Sequence, residues 1–236
     1  MEAIILAGGY GTRLQSVIKD IPKPMADING RPFLSYLMDY LLCQNIRKIL
    51  LSVGYKHEII KNYFGLRYKN LDIEYVIEDK PLGTGGAIKE ALKWVEGDDV
   101  VVLNGDTFFY LELKKLIEFH LAQDAILTIA VKLMHNFDRY GTVVLKEGKI
   151  INFEEKTFKA AGYINGGVYV IKKKIFESFD MKKDKFSFEM DFLHKNIEAI
   201  KPAAFSSDSY FIDIGIPEDY KKAQKEIGLI FKEIVG

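Results

Sequence analysis

Leu6-Ala7-Gly8-Gly9-Tyr10-Gly11-Thr12-Arg13-Leu14 follows the short apolar run 3–6, which reads as a first strand. Three glycines in four residues leave the main chain nearly bare, so another molecule can approach it closely. Successive N–H groups in such a turn can converge on an anion. Thr12 adds a hydroxyl, and Arg13 adds a fork-shaped cation suited to phosphate. Ten residues on, Pro22-Lys23-Pro24 stiffens the backbone around one lysine. The pattern predicts a polyphosphate site with Arg13 and Lys23 as its cations. It is not a dinucleotide fingerprint, because Leu14 stands where a third glycine belongs. The second strand also ends in Gly54-Tyr55-Lys56, without the acidic residue that binds ribose. Nor is it a Walker loop, since no Gly-Lys-Ser/Thr follows.

Outward from this loop, apolar spacing predicts helices at 33–45, 56–64, 84–95 and 111–123, with Thr84 as an N-cap. Short apolar runs at 49–53, 73–77, 100–103 and 125–131 read as buried strands. Strands alternating with helices predict a parallel sheet covered on both faces. After about residue 132 the rhythm changes. Strands at 142–145, 150–154 and 167–171 are joined by short turns, with a hairpin over 146–149. A helix at 186–199, strands at 203–205 and 210–212, and a final helix at 217–235 opened by Pro217 complete the chain. The expected fold is α/β and Rossmann-like, a mixed, mainly parallel sheet flanked by helices with a small antiparallel lobe. One domain over 1–236 follows, with halves at 1–132 and 133–236.

Composition narrows the partners. Lys+Arg and Asp+Glu each number 33, and a chain without basic excess is a poor nucleic-acid binder. A single cysteine, Cys43, rules out an internal disulfide and suits a reducing compartment; its place in an apolar helix pattern predicts a core position. No uncharged run approaches the roughly 18 residues of a membrane span, and nothing resembles a signal peptide. A cytoplasmic protein is expected.

Ligands of open parallel sheets sit beyond the carboxyl ends of the strands. Two further polar clusters fall there: Asn104-Gly105-Asp106 after the run 100–103, and Asp213 after 210–212. Two aspartates from distant strands can share one hard cation such as Mg²⁺, which favours one or two carboxylates plus substrate phosphates. Pro81-Leu82-Gly83-Thr84-Gly85-Gly86-Ala87 is a second glycine-rich turn, able to wrap a flat base with backbone groups. Glu154-Glu155-Lys156 and Tyr163-Ile164-Asn165-Gly166-Gly167 supply a carboxylate, an amide and a lysine suited to sugar hydroxyls and a phosphate.

Taken in order with Phe153-Glu154-Glu155-Lys156 and Ile212-Asp213-Ile214-Gly215-Ile216-Pro217-Glu218, these motifs resemble the sugar-1-phosphate nucleotidyltransferases over nearly the whole chain. Among the subgroups the chain looks most like the guanylyltransferases, particularly those acting on D-glycero-D-manno-heptose 1-phosphate, and the Pro-Leu-Gly-Thr stretch is what suggests guanine. The chain departs from the family pattern at Gln15-Ser16-Val17-Ile18, at Thr157 after Glu155-Lys156, and at Ile216. The resemblance implies that an NTP, expected to be GTP, and a sugar 1-phosphate give an NDP-sugar and pyrophosphate. It implies catalytic roles for Arg13, Lys23, Asp106 and Asp213, the two aspartates holding Mg²⁺. Nucleotide contacts are implied for Leu6, Ala7, Gly8, Gly9, Gly11, Thr12, Glu78, Pro81, Gly83, Thr84, Asn104 and Gly105. Sugar-phosphate contacts are implied for Gly141, Glu154, Lys156, Asn165 and Gly166. Relatives often form dimers, so a homodimer stays open. Mannose 1-phosphate guanylyl transfer and cytidylyl or uridylyl transfer stay open as alternatives. So does a nucleotide-sugar sensor that binds without reacting, although such a sensor has no need of Lys23 or the aspartate pair.

Overall fold

The computed structural model describes residues 1–9, 11, 14, 18, 20–179, 181 and 183–235. In chain order the elements are β1 (Ala3–Leu6), β2 (Asp27–Ile28), β3 (Arg31–Pro32), α1 (Phe33–Cys43), β4 (Lys48–Val53), α2 (His57–Phe64), β5 (Arg67–Tyr68), β6 (Leu71–Ile77) and α3 (Gly83–Leu92). They continue with β7 (Asp99–Asn104), β8 (Thr107–Phe109), α4 (Leu113–Ala122), β9 (Leu127–Phe137), β10 (Thr142–Lys146), β11 (Lys149–Glu154) and β12 (Lys159–Lys172). A π-helical segment, Phe188–Leu193, then leads into α5 (His194–Ile200), β13 (Ala203–Ser206), β14 (Phe211–Asp213) and α6 (Pro217–Val235).

Ten strands form one sheet in the order β10-β11-β13-β9-β12-β7-β1-β4-β6-β5. Its centre, β7-β1-β4-β6, is parallel. Of these, β7, β1 and β4 bury both faces, so alternate residues enter different cores. Ile5, Leu51, Val101 and Leu103 face α1, α2, α4 and α6, whereas Ile4, Leu50, Val100 and Val102 face α3, α5 and the π segment. Each fully buried aliphatic side chain contributes about 1.5–3 kcal/mol, so this double burial holds the sheet centre rigid. Among the described residues no helix is long and apolar enough to cross a membrane.

Several expectations are corrected. The strand expected at 125–131 does not join the parallel run, because β12 lies between β7 and β9, antiparallel to both. Alternation along a chain identifies strands but not their neighbours; here the apolar run Val168 to Ile171 takes the inner position because both its faces can be buried. The strand expected at 167–171 begins at Lys159 and passes through Asn165 to Gly167. There it bulges: four steps along β12, from Asn165 to Tyr169, match two along β9. Cys43 is exposed at the end of α1, since the buried face of that helix ends at Leu41. Thr84 does not cap α3, which begins at Gly83 and has no side-chain cap. The helix expected at 186–199 divides into the π segment and α5.

The register aligns the carboxyl ends of the central strands, with Leu6 opposite Ser52 on one side and Asn104 on the other. Gly105 then turns tightly: its N–H donates to the Leu6 carbonyl at 2.9 Å, and a Cβ built there would lie 2.5 Å from that oxygen. Both groups belong to the rigid centre. Gly105→Ala is therefore expected to destabilise the fold by about 1–3 kcal/mol, read as a lower urea midpoint with an unchanged slope.

His120 of α4 is buried, with Nδ1 2.8 Å from the Thr128 hydroxyl and Nε2 3.2 Å from Asp99 Oδ1. Burial lowers its pKa below the ordinary 6.5, and the neighbouring Asp99 only partly opposes this. The unfolded chain therefore binds this proton more readily than the folded one. The stability contributed is complete above the unfolded value and is lost as pH falls below it. Between about pH 7.5 and about pH 5.5 the urea midpoint should drop more steeply for the wild type than for His120→Gln.

Candidate active site

Lys23 opens a short 3₁₀ turn, Lys23–Met25, and is only 7% exposed. Its stem packs on Gly11, where φ is +59° and a Cβ would lie 2.9 Å from Lys23 Cβ. An ammonium so enclosed needs partners. Nζ donates to Asp106 Oδ2 at 2.5 Å and lies 3.6 Å from Asp213 Oδ1.

The two aspartates are 107 positions apart in the chain, yet a small second sheet joins them. β14 pairs antiparallel with β8, setting Asp213 opposite Thr107, and the Ile214 N–H donates to the Asp106 carbonyl at 3.0 Å. Asp213 Oδ1 also accepts the Gly215 N–H at 2.7 Å, and Asp106 Oδ1 accepts the Thr107 hydroxyl at 3.2 Å. A side chain on Gly215 would meet both Asp213 and Lys23, so this glycine leaves room for the pair.

Two crevices meet at this cluster. The first, of about 380 Å³, is lined by Leu6, Ala7, Gly8, Gly9, Gly11, Lys23, Glu78, Pro81, Gly83, Thr84, Asn104 and Asp106, together with Gly215. Five of these residues are glycines. Glu78 is fixed by accepting the Ser52 hydroxyl at 3.1 Å and the Leu82 N–H at 3.0 Å. The second crevice, of about 610 Å³, shares Asn104 and Asp106 and adds Gly141, Glu154, Lys156, Asn165 and Asp213. Glu154 accepts the Lys159 ammonium and the Thr142 hydroxyl, each at 2.8 Å, and the Lys159 pairing holds its pKa below the ordinary carboxylate value.

Most of the residues singled out from sequence thus line one crevice or the other. Gly105 and Gly166 line neither. Gly105 packs on Leu6, and Gly166 lies where a Cβ would meet the Phe109 ring and the Ala130 carbonyl. Thr12 and Arg13 lie outside the described residues. The Thr84 hydroxyl, expected as a cap, instead accepts the Phe188 N–H at 2.9 Å. That bond docks the glycine-rich first turn of α3 onto the π segment. The Gly85 N–H donates to the Phe186 carbonyl at 3.0 Å, and a Cβ at Gly86 would meet the Asp184 carbonyl at 2.2 Å.

Sequence reading missed Glu189, Met190, Tyr140 and Phe211 in the second crevice. Treating 186–199 as a regular helix gave no reason to place Glu189 at the crevice, and a run of Phe186, Phe188 and Phe192, all buried in one core, was the available sign that this stretch packs tightly.

The pattern found here occurs in known proteins. The family model described as nucleotidyl transferase matches residues 2–228. The chain is 53% identical over 227 residues to the D-glycero-alpha-D-manno-heptose 1-phosphate guanylyltransferase of Aneurinibacillus thermoaerophilus, covering 96% of this chain and 98% of that one. It is 52% identical to the protein of the same name from Campylobacter jejuni, covering 93% and 97%. Among solved structures, HddC from Yersinia pseudotuberculosis superposes with a TM-score of 0.87 at 45% identity, over 96% of this chain and 99% of that one. A second structure of that protein, complexed with GMP-PN, gives a TM-score of 0.85. With a match that takes in both crevices and the cluster between them, the chain belongs to the nucleotidyl transferase family.

Proposed function

We propose that this chain transfers a guanylyl group from GTP to D-glycero-D-manno-heptose 1-phosphate, giving the GDP-sugar and pyrophosphate. The observation that carries the reading is the meeting of two crevices at Lys23, Asp106 and Asp213. A transfer between two phosphorylated molecules needs two adjoining sites and a charged junction. The names of the relatives from A. thermoaerophilus and C. jejuni support the guanylyl group and the heptose. The GMP-PN complex of the Yersinia protein supports a purine nucleotide.

In this reading the glycine-lined first crevice takes GTP and the second takes the sugar 1-phosphate. An oxygen of the sugar phosphate attacks the α-phosphorus. The bond from that phosphorus to the bridging oxygen breaks, and pyrophosphate leaves with the electron pair. The attacking phosphate is already ionised at neutral pH, so no general base is required. Positioning and neutralisation of charge do the catalysis. Lys23, fixed at the junction, faces the phosphates of both reactants. Arg13 remains the second cation of this reading. Gly141, Glu154 and Lys156 hold the sugar phosphate; Asn165, expected beside them, has its amide engaged with Glu189, Tyr169 and Gly167.

Asp106 and Asp213 would hold a divalent cation, Mg²⁺ in this reading. The donor set fits: both groups offer hard oxygens and both reach the one Lys23 ammonium, at 2.5 and 3.6 Å. Among the described residues no group of three or more His, Cys, Asp or Glu gathers as a metal cage. Mg²⁺ favours one or two carboxylates completed by substrate phosphates and water. When bound it supplies neutralisation of phosphate charge.

The test is pyrophosphate release across a panel of NTPs and sugar 1-phosphates with Mg²⁺. GTP with the heptose 1-phosphate should give the highest kcat/KM, above mannose 1-phosphate. No release from any pair would overturn the reading. Asp106→Asn and Lys23→Ala should each lower kcat by about 10²-fold or more, and near-normal turnover in both would contradict their roles.

A further inference from the structure

Glu189 lines the second crevice and has no part in the reaction as described above. The π segment that carries it is fixed on three sides. Ser187 caps it by accepting the Met190 N–H at 3.2 Å, while its own N–H donates to Asp191 at 2.8 Å. Thr84 holds the Phe188 N–H from the first crevice. The Phe188 ring packs edge-on against Tyr169 at 5.5 Å and stacks on Phe192 at 5.7 Å. π turns inside helices often mark functional sites, because they turn one side chain out of helical phase.

The side chain is then aimed through Asn165. The Asn165 amide donates to Glu189 Oε1 and, at 2.9 Å, to the Tyr169 hydroxyl. The Asn165 carbonyl oxygen accepts the Gly167 N–H at 2.9 Å across the bulge of β12. Both amide hydrogens and the oxygen of Asn165 are thus engaged inside the protein. What this arrangement presents to the crevice is the carboxylate. A carboxylate accepts at about four positions, and the Asn165 donor leaves others for a ligand. Glu189 is open to solvent through the crevice, yet the protein atoms packed around its carboxyl group hold its pKa above the ordinary value, and Lys156 opposes this. A phosphate would be repelled here and belongs beside Lys156. The hydroxyl-bearing part of a sugar, rich in donors, is the complementary group.

We propose that Glu189 is a specificity-determining residue of the second crevice, accepting hydrogen bonds from ring hydroxyls of the sugar 1-phosphate, with Asn165 and Tyr169 positioning it. This rests on the transferase reading and names the group that reads the sugar.

The test uses the full chain with GTP, Mg²⁺ and its best sugar 1-phosphate, beside the monodeoxy analogues of that sugar. For the wild type, removing the hydroxyl that Glu189 reads should lower kcat/KM by about 10-fold or more. Glu189→Gln keeps the shape and an acceptor for Asn165, but turns one acceptor into a donor. It should raise the sugar KM by about 10-fold, leave the GTP KM within about 2-fold, and lose the penalty at that one deoxy position. Glu189→Asp, which withdraws the carboxylate, should show the same pattern. An unchanged sugar KM in both variants overturns the proposal. So does a raised KM with the wild-type penalty kept at every deoxy position, the mark of a purely structural role. Failure of both variants to fold also counts against it, since a substrate-facing carboxylate is not needed for folding. A wild type inactive with every sugar 1-phosphate overturns the transferase reading itself, and the inference with it.

Discussion

An ammonium buried between two carboxylates governs the centre of this protein. Lys23 is nearly inaccessible, and an unpaired charge there would be strongly destabilising. Its burial therefore requires Asp106 and Asp213 to arrive from separate strands within reach of one point. The short β8–β14 ladder meets that requirement, because it fixes Asp213 against Thr107 whatever the loops between them do. Gly11 and Gly215 leave the space in which the lysine lies. The cluster is thus a structural solution before it is a chemical one, and it stands ready-made beyond the carboxyl ends of the central strands.

The two crevices that meet there are built differently, and the difference follows from their neighbours in the fold. The first lies over the ends of parallel strands, where glycines make up much of the lining. Such a wall suits phosphates and a flat base. The second lies over antiparallel strands and the π segment, whose side chains project into it. Such a wall suits an irregular, hydroxylated ligand. The Thr84 bond to Phe188 ties the two walls together, so the first turn of α3 and the carrier of Glu189 form one packed unit.

Much of this was legible from residue order. Apolar spacing of about 3.6 marked most helices, short apolar runs marked most strands, and glycine clusters after those runs marked where strands end. The hydrophobic runs 3–6, 49–53 and 100–103 needed burial on both faces, and only a covered sheet provides it. The motifs around Lys23, Asp106 and Asp213 named the charges before their distances were visible. Local sequence was less informative where burial overrode local preference. Cys43 fits an apolar pattern, yet the face on which it lies reaches solvent.

Sequence alone determined the elements and the chemistry of the groups at their ends, because local spacing and side-chain type are properties of the chain itself. Tertiary structure decided the strand order, with β12 inserted beside β7, and the convergence of Lys23, Asp106 and Asp213. It also decided the break of the expected helix 186–199 into the π segment that brings Glu189 to Asn165. Each of these depends on which surfaces are buried together, and residues far apart in the chain carry no local mark of the partner they will meet.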